Sequence, residues 1–543
     1  MKRLQRLVDR YPVGSALALA FLGLIPWMVL RDFTPANELR YLSIVDEALR
    51  DGHFFAFSNQ GVPYADKPPL YFWLLMLCRV LLGHHSMPVL ALFSCIPAAV
   101  VTWVMDRWVF GTDAAHDASG RNASPAVRRT AALMLFSSVT WLGLSMFLRM
   151  DMLMTMFIVL ALYAWHRDRP WAFALFTFLA LFSKGPVGIL MPPLVVLTAV
   201  LTVPRSFRRE RPGDPHWRIG RFLGWRFFLL VGACCAVWFT AAWLEGGSAY
   251  LQNLLFHQTV DRTVNAFHHK EPFWFYLVNI WPILLPWSLL TVPVCVASLC
   301  RRGDTAAPRS EAARAEKLLR CAFFVPIVML SLSSSKLPVY LLPVFPFSVY
   351  LLPLYVQRAG WRKWNAVLLA LSAGLFALIG LGLAFVPLIY QKIPFLAEHP
   401  YAHSGWFTVC GILAFAGSLW TFVRALRRQA AVTDAQPMAV AILLAFLSLA
   451  PELPEANDYL GYGALCRAVP DGEKVYVLGI RRPENMDVYL GRDIVVLEDG
   501  DPIPSDGVLI TKDNFSDPAV EGRPQRILGK RIIWLPAGSG SPR

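Results

Sequence analysis

Three lysines in this chain share a local pattern that could bind an anion. Lys67 in "ADKPPL", Lys184 in "SKGP" and Lys336 in "SSSKLP" each lie beside an apolar run and next to a proline or glycine. Each alone could be a lysine whose alkyl stem covers apolar surface while its amine reaches water. Three cations with no obvious partner at the ends of apolar runs are typical of a substrate path. The pattern therefore predicts a site for a phosphate group at the depth of lipid headgroups.

The segment "NELRYLSIVDEALRDG" supplies a second group of candidate residues. It is amphipathic at helical spacing, with an apolar stripe that begins at Tyr41 and a polar face that includes Glu47. Asn37 is a plausible helix N-cap and Glu38 suits the positive end of the helix dipole, so both could be structural. Arg40 lies in the first turn, where a cation is unfavourable. An arginine beside a tyrosine at a membrane surface can hydrogen-bond a phosphate.

Asp151 begins the apolar run "DMLMTMFIVLALYAW", two residues after Arg149. A simple ion pair at the membrane surface would account for both residues. Alternatively, the carboxylate could orient an acceptor or stabilise positive charge that develops on a sugar ring. Tyr340 in "KLPVYLLP" could donate a hydrogen bond to a phosphate or belong to an aromatic belt. The residues alone leave these alternatives open.

Metal and nucleotide chemistry find little support in the sequence. His257, His268 and His269 could bind a divalent metal, but no His-Glu-x-x-His or comparable spacing accompanies them. The chain lacks a Walker loop, a dinucleotide-binding glycine turn and a nucleophile elbow. Its nine cysteines include no Cys-x-x-Cys pair, so neither a disulfide framework nor a zinc finger is indicated.

The elements that position these residues are predicted to be membrane spans. Of the 543 residues 56% are hydrophobic and 16% are charged, whereas a soluble protein carries about 25% charged residues. Apolar runs of about 20 residues recur, each long enough to cross about 30 Å of hydrocarbon. The first run lacks a small-x-small cleavage site, so we interpret it as a retained helix. Spans are predicted near 13–30, 87–106, 130–148, 151–165, 171–183, 187–203, 227–244, 273–299, 318–333, 338–355, 365–390, 406–423 and 437–451.

The distribution of lysine and arginine predicts the orientation of these spans. If 69–83 crossed the membrane, the most basic loops would lie outside; if it lies flat at the interface, they lie in the cytoplasm. The positive-inside rule favours the flat arrangement, with the N-terminus inside and the C-terminus outside. The net charge of +14 is thus a topology signal and does not indicate nucleic-acid binding. Loops 31–85 and 245–272 then share the outer face with Asp151, Lys184 and Lys336.

The composition changes after residue 451. Residues 1–451 form the predicted membrane domain, and residues 452–543 are richer in charge and turn residues. The segments "KVYVLGI", "DIVVLED", "GVLIT" and "KRIIWLP" read as short strands between turns. We therefore expect a small α/β domain on the outer side.

Several motifs occur together in an order that resembles a known family. They are "NELRYLSIVDEAL", "YADKPPLYFW", "RMDMLMTMF", "SKGPVGILMPP", "NLLFHQTVDRT" with "HHKEPFWFY", and "SSSKLPVYLLPVFP". The pattern resembles the polyprenyl-phosphate-dependent membrane glycosyltransferases of the GT-C fold, which include protein O-mannosyltransferases and the aminoarabinose transferase that modifies lipid A. The likeness is greatest to the aminoarabinose transferase branch.

The resemblance implies a fold, an activity and a location. The fold would be an α-helical polytopic GT-C domain of about 13 transmembrane helices, with periplasmic interfacial helices and a small C-terminal α/β domain. The activity would be transfer of a sugar, 4-amino-4-deoxy-L-arabinose, from undecaprenyl phosphate to a lipid A phosphate in lipopolysaccharide. The site would face the periplasm from the bacterial inner membrane. Partners would be the carrier-linked donor, lipid A and membrane lipids, without nucleic acid.

The resemblance also implies residue roles. Lys67, Arg262 and Tyr340 would hold the carrier phosphate, and Arg40 and Tyr41 would line the same cavity. Lys184 and Lys336, which share the lysine pattern, are assigned to the same phosphate. No resident cofactor is firmly implied, although His268 and His269 could hold a divalent metal.

The catalytic candidates are Glu38, Asp151 and Asn37, and one of them departs from the family pattern. Where the family usually has Asp-Glu, this chain has Asn37-Glu38. A hydroxyl acceptor needs a base, whereas a phosphate monoester, with a second pKa of about 6, is already ionised at neutral pH. The asparagine therefore weighs more against transfer to hydroxyls than against transfer to a phosphate. Alternatives are transfer to protein or glycan hydroxyls, and a lipid or polysaccharide transporter without chemistry.

Overall fold

The predicted polytopic membrane architecture is confirmed by the helices of the chain. The computed structural model describes residues 2–111, 123–210, 214–255, 271–299, 310–356, 361–427 and 431–536. Seven of the described helical segments are long and apolar enough to cross a membrane. They are Pro12–Leu30, Met87–Phe110, Ile219–Leu255, Pro338–Val356, Lys363–Lys392, Gly405–Arg427 and Val432–Leu460.

Other predicted spans correspond to shorter or interrupted helices. The shorter apolar helices are Leu70–Leu82, Met150–His166, Pro170–Lys184, Pro186–Leu201 and Ser288–Leu299. Helices Pro125–Phe136, Val139–Leu144, Phe275–Ile283 and Glu311–Leu332 complete the bundle. The count of about 13 spans stays a prediction.

Two predicted spans are broken, and the two breaks lie against each other. The run 130–148 divides between Pro125–Phe136 and Val139–Leu144, and the run 273–299 divides after Phe275–Ile283. Val139 N donates to Leu285 O at 3.0 Å, and Trp287 Nε1 donates to Ser137 Oγ at 3.0 Å. Polar groups at one interruption thus form hydrogen bonds with groups at the other. Irregular backbone within a membrane domain needs such partners, because lipid supplies none.

The segment 69–83 forms a short apolar helix. Helix Leu70–Leu82 has 13 residues, so it is about 20 Å long against a hydrocarbon thickness of about 30 Å. Its Phe72 ring meets Tyr41 edge-on, with the ring centroids 5.8 Å apart. This packing fits the predicted interfacial helix, which belongs to the first outer loop, residues 31–85, and lies against helix Arg40–Asp51 of the same loop.

The first outer loop begins with a π-helical turn, Pro35–Leu39, that continues into helix Arg40–Asp51. The predicted N-cap role of Asn37 is wrong, because Asn37 lies inside the turn and Thr34 occupies the cap position. Glu47, on the predicted polar face, is buried. Its buried carboxylate accepts hydrogen bonds from Ser58 Oγ at 2.5 Å and Gln60 N at 2.7 Å. These bonds fix the hairpin of strands Ser58–Asn59 and Val62–Pro63 to the helix.

Residues 474–534 build a mixed five-stranded sheet. The central strand Gly507–Lys512 pairs in parallel with Lys474–Leu478 and antiparallel with Arg531–Trp534. Val495–Leu497 forms one edge, and Gln525–Leu528 forms the other. The four predicted strand segments all contribute, whereas the edge strand Gln525–Leu528 was not predicted. The domain boundaries at 451 and 452 stay a prediction.

The described residues 452–536, here called the sheet domain, dock on the start of the first outer loop. Asp32 accepts hydrogen bonds from Gly463 N, at 2.7 Å, and from the Tyr489 hydroxyl. Asp487 Oδ2 accepts from Ser43 Oγ at 2.7 Å and from Gln60 Nε2 at 2.8 Å. The domain is therefore tied both to the end of the first span and to helix Arg40–Asp51.

Candidate active site

A buried cluster of charges joins two neighbouring helices at the predicted outer end of the bundle. Asp151 lies in the first turn of Met150–His166, and Lys184 ends the next helix, Pro170–Lys184. Lys184 Nζ donates to Asp151 Oδ1, and Arg149 Nε donates to Oδ2 at 3.1 Å. An acidic residue at a helix start and a basic residue at a helix end also complement the helix dipoles.

Two tyrosines lie beside this cluster. Lys184 Nζ is 4.6 Å from the centroid of the Tyr340 ring, a cation–π distance. Burial raises the pKa of Tyr41, and the charges of Arg149 and Asp151 shift it in opposite directions. The phenol of Tyr41 is therefore neutral at physiological pH and is positioned as a hydrogen-bond donor next to the cluster.

The first outer loop brings further cations to the same region. The Arg40 guanidinium lies 5.9 Å from the Tyr41 ring centroid and 5.7 Å from the Tyr64 ring centroid. Lys67 Nζ donates to Asp66 O at 3.2 Å, and the Asp66 carboxylate acts on the pKa of Tyr41. The predicted phosphate ligands Arg40, Tyr41, Lys184 and Tyr340 are thus brought together, with Lys67 beside them.

Lys336 has a structural contact in the same part of the molecule. It is 4% exposed, and its Nζ donates to Glu271 O at 2.8 Å. The neighbouring Leu337 O accepts from the Tyr276 hydroxyl at 3.3 Å. Lys336 therefore joins the "SSSKLP" turn to the end of the second outer loop, residues 245–272, and its role as a phosphate ligand stays a prediction.

Glu38 is fully buried, and four donors surround its carboxylate. Arg31 forms two bonds with it, at 2.6 and 2.8 Å, and Thr34 N donates at 2.7 Å. The fourth donor is Leu148 N at 2.8 Å, one residue before Arg149. This geometry favours a positioning role for Glu38, whose predicted catalytic role stays a prediction. Asn37 is partly exposed, and its predicted catalytic role also stays a prediction.

The second outer loop begins at a helix kink that holds the first outer loop. Glu245 accepts backbone hydrogen bonds from Phe54 N at 2.7 Å, from Phe55 N and from Ala56 N at 2.5 Å. Two residues on, Gly247 has φ 73° and bends the helix Trp225–Gln252. The kink therefore fixes the part of the first loop that precedes Lys67.

Some predicted residues lie outside the described part of the chain. Arg262 and the three histidines of the second outer loop, His257, His268 and His269, belong to this group. Among the residues that the structure describes, no group of three His, Cys, Asp or Glu side chains could hold a metal. The possible divalent metal near His268 and His269 stays a prediction.

Comparison with solved structures decides the fold. ArnT from Cupriavidus metallidurans bound to undecaprenyl phosphate superimposes with a TM-score of 0.69 at 17% identity, covering 98% of both chains. The apo form of that ArnT gives the same TM-score with complete coverage of both chains. The fold is that of the aminoarabinose transferases. The predicted GT-C class is confirmed.

Sequence comparison finds similarity to transferases with the same sugar in their names. No family model matches the chain. An undecaprenyl phosphate-α-4-amino-4-deoxy-L-arabinose arabinosyl transferase from Pseudomonas fluorescens is 24% identical over 407 residues, 71% of this chain and 64% of the relative. A transferase of the same name from Shewanella sediminis is 24% identical over 437 residues, 76% of this chain and 72% of the relative. The chain thus aligns with less than two thirds of the Pseudomonas relative's length, and the resemblance to the aminoarabinose transferases is confirmed.

Within this GT-C fold, sequence reasoning missed two adjacent residues that organise the site. Arg31 is bonded to Glu38, and Asp32 is bonded to the sheet domain. The available signal was an Arg-Asp pair directly after the apolar run that ends at Leu30. Charges at that position are ordinary membrane-boundary residues by pattern alone, so the sequence did not distinguish them.

Proposed function

We propose that this chain is an inner-membrane glycosyltransferase that moves a sugar from undecaprenyl phosphate to a lipid A phosphate at the periplasmic face. The sugar that the relatives' names favour is 4-amino-4-deoxy-L-arabinose. The observation that carries the proposal is the cluster of Arg149, Asp151 and Lys184 beside Tyr340. It places two cations and one carboxylate at the mouth of the bundle, in a fold whose solved example binds undecaprenyl phosphate.

The charge balance of the cluster suits binding of a phosphate. Asp151 neutralises one of its two cations and holds both in place, so one positive charge remains for an anionic ligand. Arg40 and Lys67 add positive charge along the first outer loop, and Tyr41 is a neutral donor. Donors fixed before the ligand arrives stabilise a leaving phosphate without reorganisation during the reaction.

The proposed reaction is a single displacement at the anomeric carbon. An ionised oxygen of the acceptor phosphate forms the new C–O bond, and the bond between the anomeric carbon and the carrier phosphate breaks. The carrier phosphate leaves with the electron pair, and its negative charge is stabilised by Lys184, Arg149 and Lys67. Because the acceptor oxygen is already ionised near neutral pH, the reaction needs no general base, which agrees with an asparagine at position 37.

Reconstitution with defined lipids tests the proposal. Purified chain, undecaprenyl-phosphate-linked aminoarabinose and lipid A should yield modified lipid A by mass spectrometry. Lys67→Ala should weaken both transfer and carrier binding, whereas Lys474→Ala, which removes an exposed lysine of the sheet domain, should change neither. Unchanged transfer and binding in Lys67→Ala would contradict the phosphate assignment.

The acceptor is tested in cells. Mass spectrometry of lipid A and of membrane proteins, with and without the chain, separates transfer to phosphate from transfer to hydroxyls. Sugar on peptides with unmodified lipid A would overturn the proposed acceptor. Asn37→Asp should leave transfer to lipid A within about twofold, because the ionised phosphate needs no base.

A further inference from the structure

The hairpin of the first outer loop turns through a residue that is poorly suited to its backbone conformation. Strands Ser58–Asn59 and Val62–Pro63 pair antiparallel and leave a two-residue loop, Gln60 and Gly61. Both loop residues have positive φ, 55° at Gln60 and 72° at Gly61, as a type I′ turn requires. Asparagine, aspartate and glycine favour the first position of such a turn. Glutamine there carries backbone strain, which persists only where surrounding contacts determine the conformation.

The contacts of Gln60 show what determines this conformation. Its backbone N–H donates to Glu47 Oε2 at 2.7 Å, which attaches the turn to helix Arg40–Asp51. Its side-chain Nε2 donates to Asp487 Oδ2 at 2.8 Å and lies 3.5 Å from Glu484 O. An asparagine would suit the backbone better, but its side chain is one methylene shorter and would not reach Asp487 from the same position. The side chain of Gln60 is therefore matched to the sheet domain and not to the turn.

The other end of the hairpin lies in the candidate active site. Tyr64 N donates to Phe57 O at 2.7 Å and continues the pairing of the two strands. The Tyr250 hydroxyl accepts from Phe57 N and donates to Tyr64 O, both at 3.2 Å. The Tyr64 ring centroid lies 5.7 Å from the Arg40 guanidinium, and Lys67 follows Tyr64 by three residues. Because the strands are hydrogen-bonded from the turn to Tyr64, a displacement of the turn moves the segment that carries Lys67.

We propose that Gln60 is a positioning residue that transmits docking of the sheet domain to the carrier-phosphate site. Its bond to Asp487 holds the turn, and the hairpin then fixes the approach of Lys67 to the phosphate. Supporting contacts of this kind set how precisely a binding residue is placed. Without the bond, the strained turn loses a contact that maintains it and relaxes. The inference rests on the proposed function, because that function assigns Lys67 to the phosphate of the carrier lipid.

Replacement of the amide at position 60 tests the proposal. Gln60→Glu keeps the size and the backbone strain of the side chain but places a carboxylate opposite Asp487. We expect the Kd for undecaprenyl phosphate and the KM for the sugar donor to rise about fivefold, as for one lost hydrogen bond, with kcat within about twofold. Amide exchange of residues 62–67 should accelerate. Gln525→Glu, the same change at an exposed position of the edge strand Gln525–Leu528, should alter none of these quantities.

Two further variants separate positioning from folding. The double variant Q60E/D487N places an amide donor opposite the new carboxylate, so lipid binding and amide exchange should return to the parent values. Gln60→Asn relieves the backbone strain but loses the bond to Asp487, so it should bind undecaprenyl phosphate more weakly without a loss of thermal stability. If Gln60 served only the turn, Gln60→Asn would bind this lipid as tightly as the parent chain does.

Three results would overturn the proposal. Parent values of binding and exchange in Gln60→Glu would show that the bond to Asp487 does not influence the site. Equal weakening in Gln525→Glu would show an effect of negative charge alone. Absence of rescue in Q60E/D487N would show that Asp487 is not the partner through which Gln60 acts. Lipid binding and amide exchange are measured without turnover, so a parent chain that binds undecaprenyl phosphate but transfers no sugar would refute the transfer proposal alone.

Discussion

Asp151 divides its two carboxylate oxygens between Lys184 and Arg149, which come from separate segments of the chain. Asp151 is 2% exposed, so water contributes little to screening the repulsion between the two cations. Removing one member of a buried charged group leaves the others uncompensated, at a cost of about 3–5 kcal/mol. Asp151 therefore acts on the orientation of both cations at once.

Asp151→Asn should lower kcat/KM for sugar transfer by about 100-fold, because misplacement of charged groups by about 1 Å has effects of that size. The matched control is Asp106→Asn. Asp106 is also 2% exposed and binds Arg128 Nε at 3.0 Å, near the end of Met87–Phe110 that lies away from the first outer loop. Both variants should lower thermal stability, but transfer per folded molecule should fall in Asp151→Asn alone. Equal losses would show that Asp151 is only structural.

Asp487 predicts a pH dependence for docking of the sheet domain. Burial raises the pKa of this carboxyl from 3.8 to about 6, and the nearby Asp46 carboxylate also raises it. Between these values the docked form binds more protons than the undocked form. Docking is therefore strongest at low pH and weakens as the pH rises through about 6.

Hydrogen-exchange protection of helix Arg40–Asp51, corrected for intrinsic rates, measures this effect at pH values of about 5 and about 7.5. Protection should be greater at the lower pH in the parent chain and independent of pH in Asp487→Asn. Asp506→Asn, which changes an exposed carboxylate paired with Lys474, should keep the parent behaviour. Protection that increases with pH in the parent chain would contradict the assignment.

At the residue scale, sequence patterns identified the charged residues of the cluster better than the partners of each residue. Lys184 and Asp151 were identified because each ends or begins an apolar run, and they prove to be bonded to each other. The partners of Glu38 were not predicted, because Leu148 lies 110 residues away and meets it only through helix packing. The burial of Glu47 was not predicted, because helical spacing cannot show that a hairpin covers the polar face.

The elements of the outer face are joined by hydrogen bonds from backbone to carboxylate. Glu245 accepts hydrogen bonds from three successive N–H groups of the first outer loop. Trp73, in the interfacial helix, donates from Nε1 to Phe54 O at 2.7 Å. Gly246 permits the close approach, since a Cβ there would lie 2.6 Å from the Ala56 Cβ. The two outer loops and the interfacial helix thus form one connected unit.

Glu245→Gln should loosen this unit, because one amide oxygen cannot accept three N–H groups and the amide nitrogen is itself a donor. A lost bond to a charged group costs about 1.5–3 kcal/mol. Hydrogen exchange at residues 54–56 should accelerate, and the KM for the carrier lipid should rise because Lys67 follows that segment. In Glu398→Gln, which removes an exposed ion pair with Lys530, the exchange rates at residues 54–56 and the KM for the carrier lipid should both be unchanged. Unchanged exchange at residues 54–56 in Glu245→Gln would contradict the predicted linkage.

At this scale the sequence predicted which segments are helical, but it did not predict where a helix is interrupted. Each apolar run corresponds to helix, but the runs 130–148 and 273–299 are interrupted where Ser137 and Leu285 face each other. An interruption in one helix is stable because another helix satisfies its polar groups. Hydropathy measured along one segment contains no information about that partner.

At the scale of the whole molecule, the predicted orientation requires the sheet domain and the loop 205–226 to lie on opposite sides of the membrane. In sealed cells, a membrane-impermeant maleimide should label Asp499→Cys and should not label Arg209→Cys until the membrane is opened. Both positions are exposed. The parent chain measures the background from its own cysteines. Labelling of both variants in sealed cells would overturn the orientation, and with it the periplasmic location of the site.

The adjacent residues Arg31 and Asp32 connect the sheet domain to the charged cluster. Arg31 binds Glu38, which holds Leu148 next to Arg149, while Asp32 binds Gly463, 431 residues further along the chain. During translation, the membrane helices can insert long before that partner leaves the ribosome. Nascent chains should therefore be inserted in the bilayer before the hydrogen bond between Gly463 N and Asp32 can form. The proposed transfer activity is therefore expected only after the sheet domain has been synthesised and has docked on Asp32.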